Sequence, residues 1–404
     1  MKKLTAIILS VCLGAAGLTG CQAGASETPA ASSRAADTGR QQAEKEPKEE
    51  TKSREDSAGE PDASQSGGTV IITDHAGSQV EIPREVNRVV VTDILPLPSI
   101  ITVFLGSGEK IVGMAPASMS AARTGLLGEL FPDILNASTD FMNGSDINME
   151  ELMKLEPDVV FYNAGSKEIG EALRSAGFAA VAVSVNKWNY DSIETYDQWI
   201  SLLSQIFPEK GDTAEQDIYE DIQNKVSGLK DEEKKDILFL FNYSDTTMVT
   251  SGKKFFGQFW CDAVGGRNVA EGVAAENSNA VINMEQVYEW NPDIIFITNF
   301  TPVQPEDLYE NAVGQDDWSP VKAVQDKNVY KLPLGTYRSY TPSTDTPMTL
   351  LWMAKQVYPD LFSDVDMTQE VKDYYKELYG VDLSGEQVQR MYHPGREAAA
   401  GYKK

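Results

Sequence analysis

The sequence predicts an α/β protein of two similar lobes, each with a mainly parallel sheet, joined by a single long helix. Three observations carry this. First, one block is written twice: residues 147–161 read INMEELMKLEPDVVF and residues 282–296 read INMEQVYEWNPDIIF, with seven identities. Each copy parses as a capped helix, a Pro-Asp break and a buried strand. Asn148 and Asn283 are N-cap residues, and Glu151 and Gln286 three residues on complete a capping-box-like pattern. Pro157 and Pro292 end the helices before the strands 159–161 and 294–296. Second, strand and helix patterns alternate on either side of these blocks, which indicates parallel pairing. Third, a long helical pattern separates the copies. Two copies so far apart fit two lobes rather than a solenoid, whose repeats are shorter and more numerous.

The remaining elements follow in chain order. Lys2 and Lys3 precede an apolar run at 4–18 that is short for a membrane span. It closes on Leu18-Thr19-Gly20-Cys21, which resembles a bacterial lipobox. That resemblance implies a diacylglyceryl group on Cys21, which becomes the first mature residue; an ordinary cleaved signal is the rival. Cys12 leaves with the signal, so Cys261 has no disulfide partner and reads as a small core residue. Residues 22–68 contain no aromatic side chain and nothing aliphatic larger than alanine or proline. Such a stretch cannot offset its ordering entropy and reads as a tether.

The folded part opens with a hairpin at 70–82 around Asp74-His75-Ala76-Gly77-Ser78. Strands follow at 88–92, 110–113, 159–162 and 179–184, with helices at 100–106 and 167–176. Ile193, Tyr196, Ile200, Leu203 and Phe207 repeat at helical spacing, Pro208 interrupts, and Ile218, Ile222 and Val226 resume it. A helix of about 20 residues spans about 30 Å, enough to bridge two lobes and restrict hinge motion. The second lobe opens at 237–241 and closes with helices at 348–357, 366–380 and 384–392. The chain thus divides into a signal segment (1–20), tether (21–68), first lobe (69–208), connecting helix (209–230), second lobe (231–392) and tail (393–404).

The formal net charge of −26 argues against nucleic acid as a partner and against plain electrostatic adhesion to anionic lipid. There is no Gly-x-Ser-x-Gly, P-loop or Gly-x-Gly-x-x-Gly, so an enzyme is not expected. With only His75 and His393, both read as surface residues, capture of a bare transition metal is disfavoured. A lipid-anchored hydrolase and a ligand-sensing lipoprotein are the minor alternatives.

The pieces Asp74-x-x-Gly77, Ile82-Pro83, Arg88-Val89-Val90, Leu105-Gly106, Lys110-Ile111-Val112-Gly113, Thr250-Ser251-Gly252-Lys253, Val264-Gly265-Gly266, Asn328-Val329-Tyr330 and Tyr358-Pro359-Asp360-Leu361-Phe362 occur in order. Together with the lipobox and the doubled block, they resemble the metal-chelate class of ABC-transporter substrate-binding proteins, the binders of ferric siderophores, haem and vitamin B12. The resemblance runs from about Thr69 to about Tyr379. It implies two Rossmann-like lobes of the class III periplasmic-binding-protein type, with cargo held between them. It implies no resident cofactor, a ferric siderophore as first choice of cargo, and haem, cobalamin or a small oxyanion such as molybdate as alternatives. It implies an ABC permease dimer as partner and a lipid anchor on the outer face of the bacterial plasma membrane.

Glu150 and Glu285 hold the same place in the two copies. A carboxylate in a first helical turn gains about 0.3–1 kcal/mol from the helix dipole. The resemblance adds that each docks onto arginines of the permease. Ligands of open α/β sheets bind beyond the carboxyl ends of the strands. That rule nominates loops 93–99, 114–123, 162–166, 186–190, 242–246, 299–303 and 335–343. Asp93, Arg123, Tyr162, Trp188, Tyr243, Tyr337, Arg338 and Tyr340 on these loops, and Lys253 nearby, are the candidate ligand contacts. Aromatic faces suit a bulky, partly apolar ligand, and guanidinium forks suit an anionic chelate.

Overall fold

A computed structural model describes residues 68–208 and 217–400. The signal segment, Cys21, nearly all of the tether, residues 209–216 of the expected connecting helix and the last four residues lie outside the described residues.

Each lobe carries a four-stranded, all-parallel sheet. In the first, the spatial order is Ile111–Met114, Val89–Val91, Val159–Asn163, Ala180–Val183. In the second it is Arg267–Asn268, Asp236–Leu240, Ile294–Ile297, Val329–Lys331. Numbered within each lobe, both orders read 2-1-3-4. The two central strands are buried on both faces, which is why they are runs of Val, Ile, Leu and Phe without alternation.

The doubled block explains much of this likeness. Asn148 accepts from the backbone N–H groups of Glu150 and Glu151 at 3.1 and 3.3 Å, and Asn283 accepts from Gln286 at 3.1 Å. The reciprocal half of the capping box forms only in the second copy, where Gln286 accepts from the Asn283 N–H at 3.2 Å. In the first copy Glu151 turns instead to Lys154, at 2.6 Å; the equivalent position of the second copy is Glu289, which offers no cation. Both helices end on a left-handed residue at equivalent positions, Glu156 and Asn291, each with φ of 43°. The aspartate after each proline then locks the third strand to the start of the first. Asp158 accepts from the N–H groups of Asn87 and Arg88 at 2.7 and 2.8 Å, and Asp293 accepts from Asp236 at 2.9 Å.

The hairpin Thr69–Thr73 and Gln79–Pro83 packs on the first lobe. Asp74 accepts from Ala76, Ser78 and, across the interface, Ala182. His75 departs from the surface position expected of it. Its Nδ1 accepts from the Ser184 N–H at 3.1 Å, so the proton sits on Nε2, which faces the Gln198 carbonyl at 3.2 Å. Trp188 lies edge-on to its ring, 5.0 Å away. Burial first of all lowers the His75 pKa to about 4. His393 is exposed.

Ser192–Ile206 buries Trp199, Ile200, Leu202, Leu203 and Ile206 in the first-lobe core. Each such side chain contributes about 1.5–3 kcal/mol as an upper bound. The described part of the connecting helix, Asp217–Val226, sets Ile222 and Val226 into the second-lobe core. The helices Thr346–Val357, Met367–Tyr379 and Gly385–Tyr392 cover that core. Cys261 lies fully buried within it, and burial raises its thiol pKa well above the usual value.

The C-terminal segment read as a tail is packed as far as residue 400. Ala398 and Ala399 are buried, the Ala400 N–H donates to the Asn299 carbonyl at 3.1 Å, and Arg396 pairs in two-pronged fashion with Asp307 at 2.6 Å. The strap holds because residues 299–307 offer it a carboxylate and free carbonyls at the end of the second-lobe sheet.

Candidate functional site

In each sheet the chain reverses its order of addition between the first and third strands, and ligands of open α/β sheets gather beyond that point. In the first lobe Asp93 holds it. The Asp93 carboxylate accepts from the Asn163 N–H, the Ser166 hydroxyl and the Thr92 hydroxyl, at 2.7–2.8 Å. In the second lobe the Thr298 hydroxyl spans the corresponding gap by donating to the Phe241 carbonyl at 2.5 Å, and Asn299 beside it donates to the carbonyls of Leu332 and Pro333, after the fourth strand, at 2.7 and 3.1 Å. Asn299 opens the nominated loop 299–303 but is not among the candidate contacts; its place two residues after the strand Ile294–Ile297 is the signal for it.

The segment 333–346 leaves the last strand and crosses toward the first lobe. The Gly335 carbonyl accepts from the Leu126 N–H at 2.8 Å. This approach needs glycine on both sides. A Cβ on Gly125 would lie 2.6 Å from the Gly335 oxygen, and one on Gly335 would lie 2.5 Å from the Asp345 carboxylate. Asp345 is buried, which raises its pKa, and it accepts from the Thr336 N–H and hydroxyl at 2.7 and 2.6 Å and from the Tyr375 hydroxyl. Three further contacts close the lobes on each other: Arg390 with Glu129 at 2.7 Å, Gln387 with Glu129 at 3.2 Å, and the Tyr190 hydroxyl with Asn277.

Arg338 sits in the middle of this crossing and is 0% exposed. Its Nε donates to the Ala398 carbonyl at 3.0 Å and its Nη1 to the Ala117 carbonyl of the first lobe at 2.9 Å. Phe300 and Tyr337 flank the guanidinium, 5.8 and 5.5 Å from ring centre to its carbon. Nη2 has no hydrogen-bond partner, and neither do the hydroxyls of Ser339 and Thr341 on the same segment. Among the described residues, no ion pair to a carboxylate compensates this guanidinium. A buried charge without a counter-ion is costly, and two carbonyl dipoles offset it only in part.

The other candidates do not gather at this mouth. Tyr162 is buried in the first-lobe sheet, where its hydroxyl accepts from Arg174 at 2.9 Å. Tyr243 donates to Asp316 at 2.6 Å and accepts from Trp318 at 2.9 Å inside the second lobe. Tyr340 packs among Phe239, Phe241, Phe255 and Phe256. Lys253 is exposed and pairs with Glu271 at 2.7 Å. Trp188 stays on the first-lobe side, against His75 and Lys187. In the three tyrosines an amphipathic side chain spends its apolar body on packing and its hydroxyl on a local partner. Tyr337 remains beside Arg338, with its hydroxyl 3.5 Å from Nη1 and burial raising its pKa. Arg123 is exposed and shares with Glu397, Pro116 and Met119 the wall of a groove of about 350 Å³.

Two lobes of one topology, closed over a crossing segment that carries an uncompensated cation, are the architecture of a receptor for a small solute. The sequence matches the periplasmic binding protein family over residues 105–334. The chain belongs to that family. Its members are exported solute-binding proteins of ABC transporters rather than enzymes, and the two-lobed α/β fold is of their class III type. It is 27% identical over 337 residues to the molybdate-binding protein MolA of Haemophilus influenzae, a match covering 76% of this chain and 90% of that one. A periplasmic solute-binding protein of Veillonella parvula superposes with a TM-score of 0.70 at 29% identity, covering 81% of this chain and 97% of that one. The structure of Helicobacter pylori CeuE in a Ni-His complex shares the fold at 22% identity, with a TM-score of 0.60 over 80% of this chain and 99% of that one.

On this binding protein Glu150 and Glu285 are exposed, each in the first turn of its helix. One turn on, at equivalent places in the two copies, stand two of the exposed large apolar side chains, Met153 at 49% and Tyr288 at 42%. Residues three apart share a helix face. Among the described residues no helix is long and apolar enough to cross a membrane.

Proposed function

We propose that this periplasmic binding protein captures an anionic cargo between its lobes on Arg338 and delivers it to an ABC permease dimer. The observation that carries the reading is the fully buried guanidinium with an unspent Nη2 and, among the described residues, no carboxylate partner. An oxyanion supplies the missing charge and accepts two parallel N–H bonds, the geometry for which arginine is suited. The unpartnered hydroxyls of Ser339 and Thr341 add donors of the kind that a tetrahedral oxyanion accepts. MolA binds molybdate, and a compact oxyanion of that class is the first choice here. A ferric siderophore or another anionic chelate is the second reading. It is favoured by the groove of about 350 Å³ at Arg123, just above the lower bound of about 300 Å³ for a small-molecule site. Glu150 and Glu285, each beside an exposed apolar residue, are the docking points for the two permease subunits, and acylated Cys21 holds the receptor at the outer face of the plasma membrane.

The test is isothermal titration of the purified full chain with molybdate, beside Arg338→Gln. The reading expects saturable binding that the substitution abolishes. Molybdate binding of equal strength in both proteins overturns Arg338 as the anchor. No binding of molybdate, together with tight binding of a ferric siderophore, transfers the site to the second reading.

A further inference from the structure

The C-terminal strap reaches the same guanidinium that the cargo needs. The Ala398 carbonyl oxygen accepts from Arg338 Nε at 3.0 Å, while the Ala117 carbonyl of the first lobe takes Nη1. Next to it, Glu397 brings a carboxylate to the groove that Arg123 lines. The strap therefore presents the Ala398 carbonyl to Arg338 and shares a groove with Arg123. Its composition suits something that sits in a site without being built into it. Residues 394–400 read Pro-Gly-Arg-Glu-Ala-Ala-Ala. Three alanines in a row offer methyl groups and backbone oxygens, and little apolar area to hold them.

The anchors lie to one side. Arg396 grips Asp307 in two-pronged fashion at 2.6 Å and reaches the Pro302 carbonyl at 3.2 Å. The Ala400 N–H rests on the Asn299 carbonyl, just beyond the third strand of the second lobe. The Leu334 N–H donates to the Met391 carbonyl at 2.8 Å, tying the preceding helix to the crossing segment. The Arg396 side chain is 46% exposed and the Asp307 side chain 11%, so this two-pronged pair is the strap's main clamp and straddles the water boundary.

We propose that residues 394–400 are an intramolecular occupant of the cargo site, with the Ala398 carbonyl in the place of an anion oxygen on Arg338, so that cargo binds by displacing the strap. This rests on Arg338 as the cargo anchor. A carbonyl carries only a partial charge, so an oxyanion binds the guanidinium more strongly and wins the exchange when it is present. In its absence the strap shields the buried charge and keeps the lobes together. The apparent affinity for cargo is then reduced by the fraction of receptors whose strap is seated.

The experiment compares the full chain, a chain ending at His393, and full-length Arg396→Ala, with molybdate as the probe in calorimetry. The proposal expects both strap variants to bind molybdate at least about tenfold more tightly than the full chain. It also expects the Ala398, Ala399 and Ala400 amides of the full chain to lose hydrogen-exchange protection at saturating molybdate. Equal or weaker binding by both variants overturns the strap as an occupant and leaves the cargo reading intact. Failure of all three proteins to bind molybdate overturns both. Arg396→Ala keeps the chain whole, so a folding defect in the shortened chain does not decide the outcome.

Discussion

Replacing Arg338 by methionine separates what this residue does for cargo from what it does for the fold. Methionine keeps much of the volume and removes the charge. In the cargo-free protein the carbonyls of Ala117 and Ala398 then lose their donors, at a cost of about 1 kcal/mol each. Against that, a desolvated guanidinium without a carboxylate partner disappears, a change that can be neutral or stabilising when an apolar side chain fills the space. The net change in stability is therefore within about 2 kcal/mol of zero. Cargo binding loses two charge-assisted hydrogen bonds of about 1.5–3 kcal/mol each, so affinity falls by at least about a hundredfold. The assay pairs urea unfolding of the cargo-free protein with calorimetric titration of molybdate. A variant that keeps its unfolding midpoint and still binds within about fivefold of the parent would falsify the assignment. So would a loss of stability far above about 2 kcal/mol, which would make Arg338 a structural pin.

Three other outcomes are expected. His75 is neutral when folded, with a pKa lowered to about 4, and charges near 6.5 when unfolded. The unfolded chain thus binds the extra proton first, and stability present above pH 6.5 is lost as pH falls toward 4, by about 2–3 kcal/mol; urea midpoints at pH 7 and pH 4 should fall further apart in the parent than in His75→Asn, and equal differences contradict it. Charge reversal at both Glu150 and Glu285 should abolish uptake in cells while molybdate affinity stays unchanged, and Met153→Ser with Tyr288→Ser should weaken binding to permease-containing vesicles at least about tenfold, as apolar anchors beside charges do; a matching fall in cargo affinity refutes the docking role. Gly335→Ala puts a methyl 2.5 Å from the Asp345 carboxylate and should cost about 1–3 kcal/mol in unfolding free energy, a prediction that an unchanged midpoint rejects.

The doubled block was readable because its physics is local. A cap, a helix of two turns, a left-handed exit and a Pro-Asp break are all set by neighbours in the chain, and Asp158 and Asp293 then make the same strand-start bonds in both lobes. The one local misreading was also a local competition, since Lys154 draws Glu151 away from its cap and Glu289 cannot do the same to Gln286. The candidate site was less legible. Tyr162, Tyr243 and Tyr340 have the composition of cleft residues, yet their hydroxyls are taken by Arg174, Asp316 and a backbone N–H within their own lobes. A one-dimensional pattern ranks a tyrosine by its type, whereas its role depends on which partner its polar tip meets.

The sequence by itself determined the repeated helix–strand unit and the parallel character of the sheets, because each rests on periodicity or on short-range backbone chemistry; the family was read from the resemblance of short motifs in order. Only the tertiary structure decided that Arg338 is buried between the lobes without a carboxylate partner among the described residues, that His75 faces inward, and that Ala398 reaches the same guanidinium. Those facts depend on contacts between residues about 60 to 220 positions apart, such as Ala398 and Ala117 around one guanidinium. No local pattern encodes such distances. Burial and partnership arise only when the two lobes close.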